Sequence, residues 1–287
     1  MMVLYVVDFF KRLFRKNNWG VVVYLILNLL LLFLLFGASD VKGFVIVLAI
    51  YVGSLAVALS PLGEYILRVQ TGSKPITRKE FRDRIDPLFN KVYEKAKAKD
   101  PSLPANIRLF INYDESPNAF ATGRRTVCVT LGLLALPDEE IEAILAHEFA
   151  HLSHKDTDML LIISVGNLII TCIFVFIRFV SMIVVAMASR RAWIALLFDG
   201  MLAGLMWVWT KIGILLVLTS SRNNEFEADK FALEIGYGKQ LASALDKLTG
   251  YQPSQVGLWR ALHSSHPQTH DRIGRLQDLG ADYYAKI

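Results

Sequence analysis

Hydrophobic residues in this chain come in long unbroken runs. The first extends from about Gly20 to Ala38, with Asn28 as its one polar residue, and the second from about Phe44 to Ser60. The short Asp40-Val41-Lys42-Gly43 turn between them predicts a helical hairpin. Runs of this length match a hydrocarbon core about 30 Å thick at about 1.5 Å of rise per residue. A cleaved signal peptide is not expected, because the first run is too long and a second follows directly. A third run covers about Met159 to Ala188 and encloses Arg178. A fourth covers about Ala192 to Leu218 and encloses Asp199 and Lys211. Charges at such depth are costly unless paired or snorkelling. Either the two runs cross as a bundle with Arg178 beside Asp199, or part of the region lies shallowly; two crossings are the favoured reading. Asn28 and Asp199 read as contacts within the bundle.

Polar segments separate these runs and divide the chain into four parts. Residues 1–60 hold a tail and the transmembrane hairpin, and 159–219 the second pair of hydrophobic helices. Residues 61–158 and 220–287 are expected to form two halves of one polar domain. In the first half, Phe81, Ile85, Leu88, Phe89 and Val92 recur at helical spacing over about Arg78 to Lys99. Alternation at Ile107, Leu109 and Ile111 predicts a strand. Two more short strands are expected at Asn118–Ala121 and Thr126–Leu131, around a Thr-Gly-Arg-Arg turn. A helix should then begin near Pro137, taken as its first helical residue, with Asp138, Glu139 and Glu140 complementing the helix dipole. The predicted fold is an α+β membrane protein: four hydrophobic helices and a mainly helical polar domain carrying a small antiparallel sheet.

Composition sharpens this reading. Hydrophobic residues make up 54% of the 287 and charged ones 20%, with a mean hydropathy of +0.40. Disorder and a disulfide-stapled scaffold are excluded. The formal net charge of +5 lies mostly beside the apolar runs, which points to anionic lipid headgroups and away from nucleic acid. Lys11, Arg12, Arg15 and Lys16 precede the first run, and Arg68, Lys74, Arg78, Lys79 and Arg82 follow the second. The positive-inside rule then puts the N-terminus and the central polar block in the cytoplasm. Cys128 and Cys172 form no C-x-x-C pair and read as buried, inert thiols.

The chemistry resides in His147-Glu148-Phe149-Ala150-His151 on the predicted helix. Residues four apart share a helix face. Two imidazoles placed so can both reach one tetrahedral Zn²⁺ at about 2.0–2.1 Å. Glu148 lies about 100° round the helix and can instead hold a water at the open position, then move its proton. A third histidine ten residues after the first is ruled out, since that position is Thr157. A downstream carboxylate is therefore needed. Glu225 and Asp229 are four apart on one helix face: Glu225 could bind the ion while Asp229 accepts the free N–H of a liganding histidine. Glu227 reads as solvated. His154 is a lesser ligand candidate expected to face solvent.

These residues, with Asn118-Ala119-Phe120-Ala121-Thr122-Gly123 upstream and Ser221-Arg222 before Glu225, resemble the HtpX family of membrane-bound zinc metalloproteases. The order of runs and motifs matches over nearly the whole chain. Asn224 departs from the basic residue common there in the family. The resemblance implies that 61–158 and 220–287 make up one gluzincin-like, zincin-type catalytic domain, with one Zn²⁺ per chain held by His147, His151 and Glu225 and with Glu148 as catalytic base. It implies that Asn118, Ala119, Phe120 and Ala121 form an edge strand that aligns an extended substrate by backbone pairing. Asp156 matches a family aspartate, read as a partner of a liganding histidine or as a helix-end salt bridge. His266-Pro267 with Arg272 fits a His-Pro…Arg pattern, and His266 is either a substrate contact or part of a polar turn. Arg222 either contacts substrate carbonyls or pairs with a carboxylate.

The resemblance also implies cleavage of misfolded or damaged membrane proteins at a bacterial cytoplasmic membrane, as part of a stress response. Expected partners are polypeptide substrates and the bilayer, with no nucleic acid; the oligomeric state is not legible. The alternatives are a non-catalytic membrane scaffold that keeps a zinc fold and a prenyl-protein-processing zinc protease. Topology adds a constraint. His147 and His151 precede the third run and Glu225 follows the fourth, so an even number of crossings must separate them if all three are to meet.

Overall fold

The Asp40 carboxylate accepts a hydrogen bond from the Gly43 N–H at 2.8 Å and so starts a helix. Residues 41–43 are therefore the first turn of the second apolar helix and not a connecting turn. The computed structural model describes residues 9, 19–36, 40–159, 161–162, 172, 175–183, 192–249 and 269–284. The chain forms two compact units, Met1–Ser60 with Leu161–Thr219 and Pro61–Leu160 with Ser220–Ile287.

The first unit contains α1 (Trp19–Phe36) and α2 (Val41–Ala58), then helical residues 175–183. The N-terminal part of α6 (Ala192–Glu234) completes it. Among the described residues, only α2 is long and apolar enough to cross a bilayer; Trp19–Leu34 is a shorter apolar stretch. Most of the third hydrophobic run lies outside the described residues. The polar groups here are paired, as an apolar medium requires. Tyr51 donates to the Leu25 carbonyl at 2.9 Å, and the Trp209 indole N–H to buried Asn28 at 2.9 Å. Arg178 grips Asp199 with two bonds, Nη2 to Oδ2 at 2.6 Å and Nε to Oδ1. Cys172 is exposed, against the expectation of a buried thiol, whereas Cys128 is buried. Helix α6 outlasts the fourth apolar run and continues unbroken to Glu234, because neither glycine nor proline occurs between Gly213 and Gly236.

The second unit opens with α3 (Pro61–Gln70), β1 (Lys74–Pro75) and α4 (Lys79–Lys99). Strands β2 (Arg108–Asn112), β3 (Ala119–Thr122) and β4 (Thr126–Thr130) follow, and then α5 (Asp138–His154). The end of α6, α7 (Gly238–Leu248) and α8 (Thr269–Asp278) complete it. The sheet order is β1-β2-β4-β3. β3 runs antiparallel to β4, but β2 runs parallel to it, with Phe110 opposite Cys128. The expected antiparallel sheet is thus mixed. Two chain reversals separate β2 from β4, and β4 inserts between β2 and β3, which restores the direction of β2. β1 escapes sequence reading because two residues show no alternation.

Helix α5 packs against α4, α7 and β3 and is buried along almost its whole length. Phe149 lies 5.1 Å from Phe89 and 5.8 Å from Tyr93 between ring centroids, which ties α5 to α4. Pro137 is the N-cap of α5, one position before the predicted first helical residue, and its carbonyl accepts the Ile141 N–H at 3.0 Å. Buried Glu142 receives Lys91 at 2.7 Å, and buried Glu140 receives Ser243 at 2.8 Å. The helix ends at Lys155, whose φ of 56° is left-handed. This turn brings Asp156 back towards the helix end.

Candidate metal centre

α5 places the His147 and His151 imidazoles one turn apart, and the C-terminal part of α6 brings Glu225 to them. His147 Nε2 is 3.2 Å from His151 Nε2 and 3.4 Å from Glu225 Oε2. His151 Nε2 is 3.5 Å from Glu225 Oε1. Ligand atoms about 2.0–2.1 Å from a tetrahedral centre are about 3.3–3.4 Å from one another. The two imidazole nitrogens are thus spaced as on one zinc ion, and the Glu225 carboxylate approaches each of them through a different oxygen at nearly that distance. Two imidazole nitrogens and a carboxylate, nearly all buried, are also the donor chemistry of an open zinc site rather than of a closed structural one.

The other ring nitrogens are held by carboxylates. His147 Nδ1 lies 2.9 Å from Asp229 Oδ1, and His151 Nδ1 lies 3.4 Å from Asp156 Oδ2. These contacts fix the tautomer that presents Nε2 to an ion. Burial and Arg272 push the His147 imidazole down, but the Asp229 and Glu225 carboxylates outweigh them and raise it to about 9. His151 is likewise raised: burial lowers it, and Asp156 and Glu225 more than compensate. Burial alone would raise the Asp229 carboxyl, yet the Arg272 guanidinium holds it below the usual range.

Arg272, on α8, is the group the sequence reading left without a role. It is buried and forks onto Asp229, with Nε at 2.8 Å from Oδ2 and Nη2 at 2.6 Å from Oδ1. Its Nη1 lies 3.3 Å from Glu225 Oε2. One guanidinium thus contacts both Glu225 and Asp229, the buried carboxylates of α6. The only signal in the sequence was its place after His266-Pro267.

The Glu148 carboxylate is also fixed. Its Oε2 accepts the Ala121 backbone N–H at 2.7 Å. β3 is the outer strand of the sheet, and its alternation explains this contact. The Asn118 carbonyl accepts the Thr130 N–H, so the backbone groups of Phe120 and Thr122 face β4. Those of Ala119 and Ala121 face the open edge. The far end of β3 is pinned at Gly123, whose φ of +59° and tight packing against Glu64 leave no room for a Cβ. Beside it, Arg124 makes a buried ion pair with Asp158 at 2.7 Å.

Other singled-out residues fall away from the centre. Glu227 is exposed. His154 is half-buried and packs edge-on to Phe231 at 6.1 Å, so it does not face solvent as expected. The Arg222 side chain and the whole of His266 lie outside the described residues.

The chain matches peptidase family M48 over residues 81–279. A Protease HtpX homolog of Sulfurovum sp. (strain NBC37-1) is 34% identical over 199 residues, covering 60% of this chain and 68% of that protein. A Protease HtpX homolog of Burkholderia mallei (strain SAVP1) is 29% identical over 230 residues, covering 67% and 73%. Among solved structures, a crystal structure of S. mikatae Ste24p has a TM-score of 0.46 and 18% identity, covering 96% of this chain and 67% of that one. With most of its length matched, including both histidines of α5 and the carboxylates of α6, the chain belongs to peptidase family M48.

Proposed function

We propose that this chain is a membrane-bound, zinc-dependent endopeptidase whose substrates are polypeptides, among them misfolded or damaged membrane proteins. The observation that carries the metal is the convergence of three residues: the His147 and His151 Nε2 atoms lie 3.2 Å apart, and Glu225 brings Oε2 to 3.4 Å of the first and Oε1 to 3.5 Å of the second. When bound there, zinc would acidify a water and polarise a peptide carbonyl. Glu148 takes the proton of the attacking water through the oxygen that Ala121 does not hold, and delivers it to the leaving amine. Asp229 and Asp156 hold the imidazoles in place. The open edge of β3 lies beside Glu148, so an extended substrate pairing with Ala119 would run past the base. The Ala121 N–H is already engaged and is not offered to substrate.

The apolar helices and the cationic segments that flank them support a multi-pass protein of the bacterial cytoplasmic membrane with its catalytic unit in the cytoplasm. The chemistry is tested by Glu148→Gln in the full chain. Cleavage of a model membrane protein should fall by at least about a thousandfold, in line with losing a general base and its electrostatics. Wild-type turnover in that variant overturns the assignment. Zinc stoichiometry on Glu225→Ala and Glu227→Ala fixes the third ligand: metal should be lost from the first alone.

A further inference from the structure

Helix α3 (Pro61–Gln70) begins after only Leu59 and Ser60, which follow the end of α2. Three residue steps reach at most about 11 Å, so the start of α3 cannot lie far from the end of that apolar helix. α3 has two unlike faces. Gly63 and Leu67 are buried, and Glu64 and Arg68 turn the same way. Glu64 lies against the backbone of Gly123 and accepts the Arg124 N–H, while Arg68 donates to Thr126 at 3.0 Å and covers the Phe110 ring. This face clamps the β3–β4 turn. On the opposite face Leu62, Tyr65 and Val69 are 55%, 57% and 63% exposed. They are spaced three and four apart and form one stripe. The chain that follows presents Lys74, Arg78, Lys79 and Arg82, all exposed. An apolar stripe with a tyrosine, tied to an apolar helix on one side and to a cationic segment on the other, has the makeup of an interfacial helix.

We infer that α3 is a foot that rests in the headgroup layer of an anionic bilayer through Leu62, Tyr65 and Val69, while its other face clamps the β3–β4 turn. The inference rests on membrane insertion of α2 and not on proteolysis. It needs no metal and no substrate.

The test is nitroxide labelling of the full chain in vesicles of phosphatidylcholine and phosphatidylglycerol. Cys172→Ala removes the exposed thiol, and buried Cys128 is kept, its residual labelling being subtracted from a sample without an added cysteine. Labels go at Tyr65→Cys and Val69→Cys, at Val52→Cys within α2, and at Glu94→Cys on the exposed face of α4 as the aqueous control. All are exposed positions, so folding is not threatened. Collision with oxygen against a water-soluble nickel chelate should place the labels at 65 and 69 about 5–10 Å into the headgroup–acyl boundary. The label at 52 should lie deeper, and the label at 94 in water. Labels at 65 and 69 that collide with nickel as often as the label at 94, while that at 52 is deep, overturn the inference and leave the membrane reading intact. An aqueous label at 52 removes both.

Discussion

The Ala121 N–H donates to Glu148 Oε2 at 2.7 Å, so the edge strand holds the carboxylate assigned as the base. This bond is charge-assisted and buried, and such bonds contribute about 1.5–3 kcal/mol. Proline at 121 removes this N–H without breaking a β3–β4 bond, because the backbone groups of Ala121 face away from β4. Ala121→Pro should therefore leave the fold and zinc content unchanged while kcat falls about ten- to a hundredfold, each factor of ten being about 1.4 kcal/mol. Steady-state kinetics beside metal analysis decide this, and a wild-type kcat would show that Glu148 needs no such support.

Asp229 joins His147 to Arg272. Asp229→Asn keeps the shape but removes the charge that both partners face. Zinc affinity, read by titration against a competing chelator, should weaken about ten- to a hundredfold. An unchanged affinity would mean that Asp229 serves the fold alone.

The raised His147 imidazole makes stability depend on pH in a defined direction. Its folded value of about 9 exceeds the ordinary value of 6.5. In the metal-free protein its stabilisation is fully present below about 6.5 and is lost as pH rises through about 9. Zinc requires the neutral ring, so metal affinity should rise over the same interval. Thermal unfolding of chelator-treated wild type should slope downward with pH between these values, and His147→Asn should flatten the slope. Equal slopes in the two proteins would refute this role.

Gly123 sits at φ +59° with Glu64 atoms 2.2 Å from the place of a Cβ. Gly123→Ala should cost about 1–2 kcal/mol for the left-handed backbone alone, and displace Glu64 from the Arg124 N–H as well. Tm should drop by several degrees, with partial recovery when Glu64→Ala is added. No recovery in the double variant would place the whole cost in the backbone.

Lys155 offers the converse case. It adopts φ 56° at the end of α5, a position where glycine is usual. Lys155→Gly should stabilise the protein by about 1 kcal/mol. A lower Tm would indicate that the lysine side chain contributes more than its strain costs.

The periodic elements were legible from local sequence, because burial repeats with the geometry of the element itself. The α4 and α5 patterns place their helices within a residue or two. The two strands around Gly123 are bounded as closely. The His147/His151 pairing was readable for the same reason, since one helical turn sets it. Parallel pairing of β2 with β4 was not, because strand order depends on where a loop carries the next strand. β1 was too short to show a period, and the change from apolar to polar residues near Leu218 did not tell that α6 runs on as one helix.

What the sequence determined alone was therefore local: apolar runs, the donor pair on α5, and the one-turn spacing of Glu225 and Asp229 on α6. Tertiary structure decided which distant groups meet them. Arg272 is 43 residues from Asp229, and Ala121 is 27 from Glu148. Neither contact follows from any periodicity, because each is created only when separate helices and a sheet edge pack around the buried α5. The physical reason is that a buried charge must find its partner in space, and the chain between the two is free to take any length.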